Sequence, residues 1–167
     1  MEGSEYLLTC AEIGVALAGF SALIIALTNR SDSGVDPVSR GMVSTLIERS
    51  LVAVFFALLP ILLSGLGVTP GNIWFSCSML FAVYGFSLAW RSGAQRRSEP
   101  VTKDYLNLPV FLLLMSVGLL VLFLQLMHAF ELVIRQSVWW YLVGVTWLLM
   151  SASYMFYIAV RRWVHAS

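Results

Sequence analysis

Five long apolar runs divide the chain, at about 6–28, 51–66, 73–90, 108–127 and 138–160, with short polar stretches between them. An α-helix rises ~1.5 Å per residue and a bilayer presents ~30 Å of hydrocarbon, so about 20 residues cross it. The second run is short, but its helix starts earlier. Asp36-Pro37 is an N-cap followed by a first-turn proline, and Val38, Met42, Val43, Leu46 and Ile47 recur at helical spacing after it. One helix is therefore expected over 37–66, bent where Pro60 removes a backbone donor. Gly67 to Asn72, GVTPGN, reads as a tight hairpin, and 91–107, RSGAQRRSEPVTKDYLN, as the most polar loop. The pattern predicts an all-α, polytopic integral membrane bundle of one domain, with spans at about 6–28, 37–66, 73–90, 108–134 and 138–160. Its cytoplasmic loops are 29–49, which takes in the first turns of the second helix, and 91–107.

Composition supports this assignment. Only 11% of the 167 residues are charged and 59% are hydrophobic, whereas a soluble domain carries about 25% charged residues. A net charge of +1 provides no basic field for nucleic acid. Cys10 and Cys77 lie singly inside apolar runs and read as small buried hydrophobes. The opening MEGSEY is acidic and lacks the positive leader of a secretory signal, so the first run is expected to remain as a span. With five spans, nine of the ten Lys and Arg residues fall on one side and only Arg135 on the other. Positive residues mark the cytoplasmic side, so the N-terminus is expected outside and the C-terminus inside. Tyr6, Trp74, Trp139, Trp140 and Tyr141 would mark the outer boundary, and Trp90, Tyr105, Tyr157 and Trp163 the inner one. A four-span arrangement spoils this asymmetry. No internal repeat is visible, and an odd span number argues against a simple inverted duplication.

Ionisable groups inside a membrane are costly, which singles out a few side chains. Glu12 lies ~9 Å along its helix from Tyr6, in the outer leaflet by this topology. On the fourth span Gln125, His128 and Glu131 share one helical face at a similar depth. Glu12, Gln125, His128 and Glu131 are expected to converge as an ion pathway or polar site able to hold a cation or relay protons. The structural alternative is that Glu131 and His128 are interfacial and that Glu12 snorkels or bonds a neighbouring span. The ligand set is incomplete for a dedicated metal site. Glu48 and Arg49 stand at the cytoplasmic mouth, either as a gate or ion pair or as headgroup anchors. Arg91, Arg96, Arg97 and Lys103 enforce topology and could attract anionic lipid. Cys10, Gly14, Ala18, Ala22 and Ala26 recur every fourth residue as a helix-packing stripe, seating either a span of the same subunit or a second copy. Gly85 and Ala89 form a weaker small face on the third span.

Several chemistries are disfavoured. No Lys or Asp lies within a span, and His128 and His165 fall on opposite sides, so one subunit cannot clamp a haem with both. P-loop, GxSxG, HExxH and CxxC motifs are absent. Neither an enzyme, nor a cofactor, nor a bound metal is expected.

Ala11-Glu12-Ile13-Gly14-Val15-Ala16-Leu17-Ala18-Gly19-Phe20 resembles the opening span of small bacterial multi-spanning membrane proteins that share A-E-I-x-V-x-L-A-G-F. That resemblance implies a multi-pass protein of the bacterial inner membrane, with no assigned activity and no catalytic residue to transfer. Five helices form a thin bundle, so the expected function is a homo-oligomeric channel or pore for small ions, cations first, with Glu12 ringing the axis. The alternative is a membrane-embedded sensor or interaction subunit that docks a partner protein on its cytoplasmic face. Membrane lipids are the other expected partners.

Overall fold

The computed structural model describes residues 3–28, 37–98, 108–131 and 137–166. Five helices account for nearly all of them: α1 Ser4–Thr28, α2 Pro37–Gly65, α3 Pro70–Ser98, α4 Leu108–Ala129 and α5 Val138–Ala166. Each contains a stretch long and apolar enough to cross a membrane. Large apolar side chains such as Leu8, Phe20, Leu62, Val83 and Leu113 face outwards. Such a surface suits hydrocarbon and not water. The described residues form an all-α bundle with five helices, each long and apolar enough to cross a membrane.

The boundaries of α1 and α2 lie close to those expected from the sequence. The 66–70 turn is as tight as its residues suggest. Gly67 takes a left-handed φ of 77°. This lets Val68 N–H donate to Leu63 O at 3.2 Å and Gly67 N–H to Ser64 O at 3.1 Å, the paired bonds that close a helix C-terminus. Thr69 stands at the N-cap position of α3, ahead of Pro70, and its carbonyl accepts from Ile73 N–H at 3.0 Å.

Three helix ends differ from those expected. The third helix does not end at 90 but runs to Ser98, so the first part of the expected 91–107 loop is helical. Arg, Ala and Gln are good helix formers, and the first real breaker is Pro100, which also disfavours helix at the residue before it. The fourth helix stops at Ala129, short of 134, in a turn where Glu131 adopts a φ of 51°. The fifth helix passes 160 and reaches Ala166. Residues 29–36, 99–107 and 132–136, with Arg30, Lys103 and Arg135 among them, lie outside the described residues.

α1 packs on α2 and α5, α3 packs on α4, and α5 touches all four other helices. α1 and α4 share no substantial contact. Along the centre runs an aromatic file. Trp74 meets Tyr141 with ring centroids 5.8 Å apart, Tyr141 meets Phe81 at 6.3 Å, Phe81 meets Phe56 at 5.0 Å and Phe56 meets Tyr84 at 5.9 Å. Contacts of this kind add ~0.5–1.5 kcal/mol each beyond their burial.

Pro60 sits buried inside an unbroken α2. It has no N–H to offer the carbonyl four residues back, at Phe56. The Tyr141 hydroxyl, fully buried on α5, donates to Phe56 O at 2.7 Å. A side chain of another helix thus supplies the donor that proline removed, where lipid and core offer no water to do so.

The small-residue stripe of α1 is used in part. Gly14 is buried, and a Cβ there would lie 2.7 Å from Val54 Cγ2 and 3.1 Å from Ser50 O on α2. The close approach is therefore within the chain. Ala22 and Ala26 are exposed, whereas Leu7, Ala11, Gly14 and Ser21 are buried. A four-residue repeat gains ~40° per step on a 3.6-residue helix. From Cys10 to Ala26 it rotates off the packed face, which alternates steps of three and four.

Candidate functional site

Gln125 and His128 are fully buried, one turn apart on α4. Gln125 Nε2 donates to Trp140 O at 2.9 Å, in the first turn of α5. His128 Nε2 accepts from Ser137 N–H at 2.9 Å, and Nδ1 lies 2.9 Å from Ser78 Oγ on α3. A backbone N–H can only donate, so Nε2 carries no proton. The neutral ring then bears its proton on Nδ1 and donates it to Ser78. Trp74 closes over the ring with centroids 6.1 Å apart. These two side chains clasp α3, α4 and α5 together at the end where α4 stops.

The structure does not bring Glu12 or Glu131 into this clasp. Glu12 is exposed on the side of α1 that faces away from α2 and α5, and Glu131 is exposed in the turn after α4. The common depth inferred from spacing holds no information about azimuth, and α1 lies across the bundle from α4. Among the described residues no three His, Cys, Asp or Glu side chains come together in a metal-binding group.

The more distinctive feature lies towards the other end of the bundle. The buried residues of α4 are Val121, Leu122, Gln125, His128 and Ala129, all in its C-terminal half. There Leu122 lies against Gly85 of α3. The N-terminal half of α4 stands away from the bundle and leaves a cavity of about 310 Å³ bounded by α2, α3, α4 and α5. Its walls are mostly apolar, with Phe111, Met115, Leu119, Leu122 and Trp147 among them. Most of its polar residues lie on α2 and α3, namely Thr45, Glu48, Arg49, Tyr84, Arg91 and Ser92, and α5 adds Ser151, whose hydroxyl donates to Leu148 O at 2.8 Å. Glu48 and Arg91 form an exposed ion pair at 3.8 Å across the rim, of little energetic weight because water screens it. Arg49 and Tyr84 lie deeper, within electrostatic range of each other. Arg49 Nε and Tyr84 Oη are both sequestered from solvent, and neither has a hydrogen-bond partner among the described residues. An unmet buried donor costs about 1–3 kcal/mol, and here two share one cavity.

Sequence reasoning had singled out Glu48 and Arg49 but missed Tyr84 and Trp147. The signal for Tyr84 was present. Tyr84, Leu88 and Arg91 stand four and then three residues apart, on one face of the third run. No protein-family model matches the chain, and neither the curated proteins nor the solved structures yield a match.

Proposed function

We propose that the protein is a membrane-embedded ligand-binding subunit, a sensor or interaction subunit whose working site is the cavity between α2 and α5 and whose ligand is an amphiphile. The observation that carries this reading is the cavity itself, apolar along its length and polar at one end. At about 310 Å³ it stands at the lower limit of ligand pockets, which span ~300–1,000 Å³. The centre of the subunit is filled by the aromatic file, and the buried polar residues described there are single hydroxyls apart from the Gln125–His128 clasp. That favours binding over conduction through one subunit. With the arginine-rich side taken as cytoplasmic, the polar end of the cavity faces the inner leaflet of a bacterial inner membrane.

Bromododecanol tests the reading, because bromine quenches indole fluorescence on contact. In protein reconstituted into phosphatidylcholine nanodiscs, saturable quenching is expected, most of it lost in Trp147→Phe. Gly118→Leu places a side chain into the cavity beside Trp147 and is expected to abolish the saturable component. Quenching that stays linear with probe in the unaltered protein would refute the reading.

A second reading is an oligomeric cation channel on a symmetry axis, and one observation favours it. Glu12 is an exposed carboxylate inside a candidate span, beside exposed Ala16 and Gly19, and a charge facing hydrocarbon asks for a partner. This reading predicts a cation conductance in planar bilayers that Glu12→Gln reduces severalfold. A silent, well-folded oligomer would count against it.

A further inference from the structure

We infer that the cavity selects an anionic amphiphile, a phosphate or carboxylate head on a single apolar chain, and that Arg49 Nε and Tyr84 Oη are the donors that bind the head. This inference rests on the amphiphile-binding reading and specifies the chemistry of its ligand.

Three observations converge on it. First, the two unpartnered buried donors line the same cavity on neighbouring helices, Arg49 on α2 and Tyr84 on α3. Arg49 Nε can only donate and the Tyr84 hydroxyl can donate, so a single acceptor group completes both at once. A neutral hydroxyl head offers acceptor lone pairs but no charge, whereas a carboxylate or phosphate offers several oxygens and meets a guanidinium with charge-assisted bonds. Second, the ionisable side chains on the wall leave the site net positive. Among the described residues of the wall, Arg49 and Arg91 stand against Glu48, and the Glu48 carboxylate already faces Arg91 at the rim. Third, the polarity is segregated. The charged residues and Tyr84 lie on α2 and α3, the Ser151 hydroxyl on α5 is spent on Leu148 O of its own helix, and the α4 wall contributes Phe111, Leu114, Met115, Leu119 and Leu122. A ligand that fits must carry its charge at one end and its chain along α4. The rim includes exposed Leu119 as well as exposed Glu48 and Arg91, so a chain longer than the cavity can leave it beside α4 into surrounding lipid.

The site differs from a diffuse basic surface in a way that experiment can separate. Arg91 is exposed, and its attraction for anions is screened by salt, whereas Arg49 Nε is shielded. Arg49 should therefore dominate selectivity and Arg91 should add little.

The experiment is competition against bound bromododecanol in phosphatidylcholine nanodiscs, using dodecyl phosphate, dodecanoate, dodecanol and dodecylphosphocholine, which share one chain and differ in the head. Dodecyl phosphate or dodecanoate is expected to displace the probe at concentrations at least about tenfold below dodecanol and dodecylphosphocholine, the scale of one charge-assisted bond. Whichever of the two anions is tighter identifies the head group. Arg49→Gln should bring all four within about twofold, and Tyr84→Phe should weaken the anions about threefold to fivefold and dodecanol by less than about twofold, because a bond to a neutral acceptor is the weaker one. Arg91→Gln should change the preference less than about twofold. If Arg49→Gln does not fold, Arg49→Lys retains the charge without the Nε donor and should lose most of the preference. Equal displacement by all four heads in the unaltered protein would overturn the inference and leave amphiphile binding standing. A preference that survives both Arg49→Gln and Tyr84→Phe would overturn the assignment of these donors. Absence of saturable bromododecanol binding would remove the underlying reading, and the inference with it.

Discussion

Tyr141 and Pro60 lie far apart in sequence, yet they form one unit. The proline orphans Phe56 O and the phenol satisfies it at 2.7 Å. Tyr141→Phe should therefore cost about 1–2 kcal/mol, the loss of a buried hydrogen bond at the carbonyl that Pro60 leaves without its usual helical donor. Pro60→Ala restores an N–H to α2, so the same Tyr141→Phe change should cost about 1 kcal/mol less in that background. Unfolding of the four proteins of the cycle in mixed detergent micelles measures the difference. Equal costs in both backgrounds would show that the hydroxyl does not serve the proline. Sequence alone marked Pro60 as a disturbance and Tyr141 as a boundary aromatic. It could not pair them, because the pairing depends on how α5 is rotated against α2. The same holds for His128. Its position on a helical face was legible, but its neutral state follows from Ser137 and Ser78, which only the turn after α4 and the packing of α3 bring to it.

At the level of the element, α1 shows how a sequence stripe becomes a packed face. Gly14 is a point of close approach between α1 and α2, and a Cβ there meets a backbone carbonyl that cannot give way. Gly14→Leu should destabilise the subunit by about 1–3 kcal/mol or prise the helices apart. Gly19 has nothing within 4 Å of its would-be Cβ, so Gly19→Leu should leave the unfolding of the isolated subunit within about 0.5 kcal/mol of its starting value. If copies associate through the exposed side of α1, Gly19→Leu should also lower the oligomer fraction by light scattering. An unchanged fraction places any interface elsewhere. The α3 boundary teaches a complementary lesson. Polarity after Trp90 marks where the apolar run ends, not where the helix ends, since Arg, Gln and Ala are helix formers as good as most apolar residues.

For the whole molecule, charge and hydropathy predict an orientation that packing cannot give. With both native cysteines replaced, Thr69→Cys on intact cells should react with a membrane-impermeant maleimide and Ala94→Cys only after lysis. Both positions are exposed, at opposite ends of α3 or in the turn before it. The reverse labelling would invert the topology and turn the polar end of the cavity outward. What the sequence by itself determined is the number of helices long and apolar enough to span a membrane, the hairpin at Gly67 and the uneven distribution of Lys and Arg between the apolar runs. Each of these is local, since apolar length, turn chemistry and loop charge are read residue by residue. What only the tertiary structure decided is which polar residues meet. It separated Glu12 from His128, gave Gln125 and His128 the work of a clasp, and stood half of α4 away from the bundle. The cavity that results draws Arg49, Tyr84 and Trp147 from three different helices. The rotation and splay of helices are set by the sum of many side-chain contacts, and no single stretch of the sequence carries that sum.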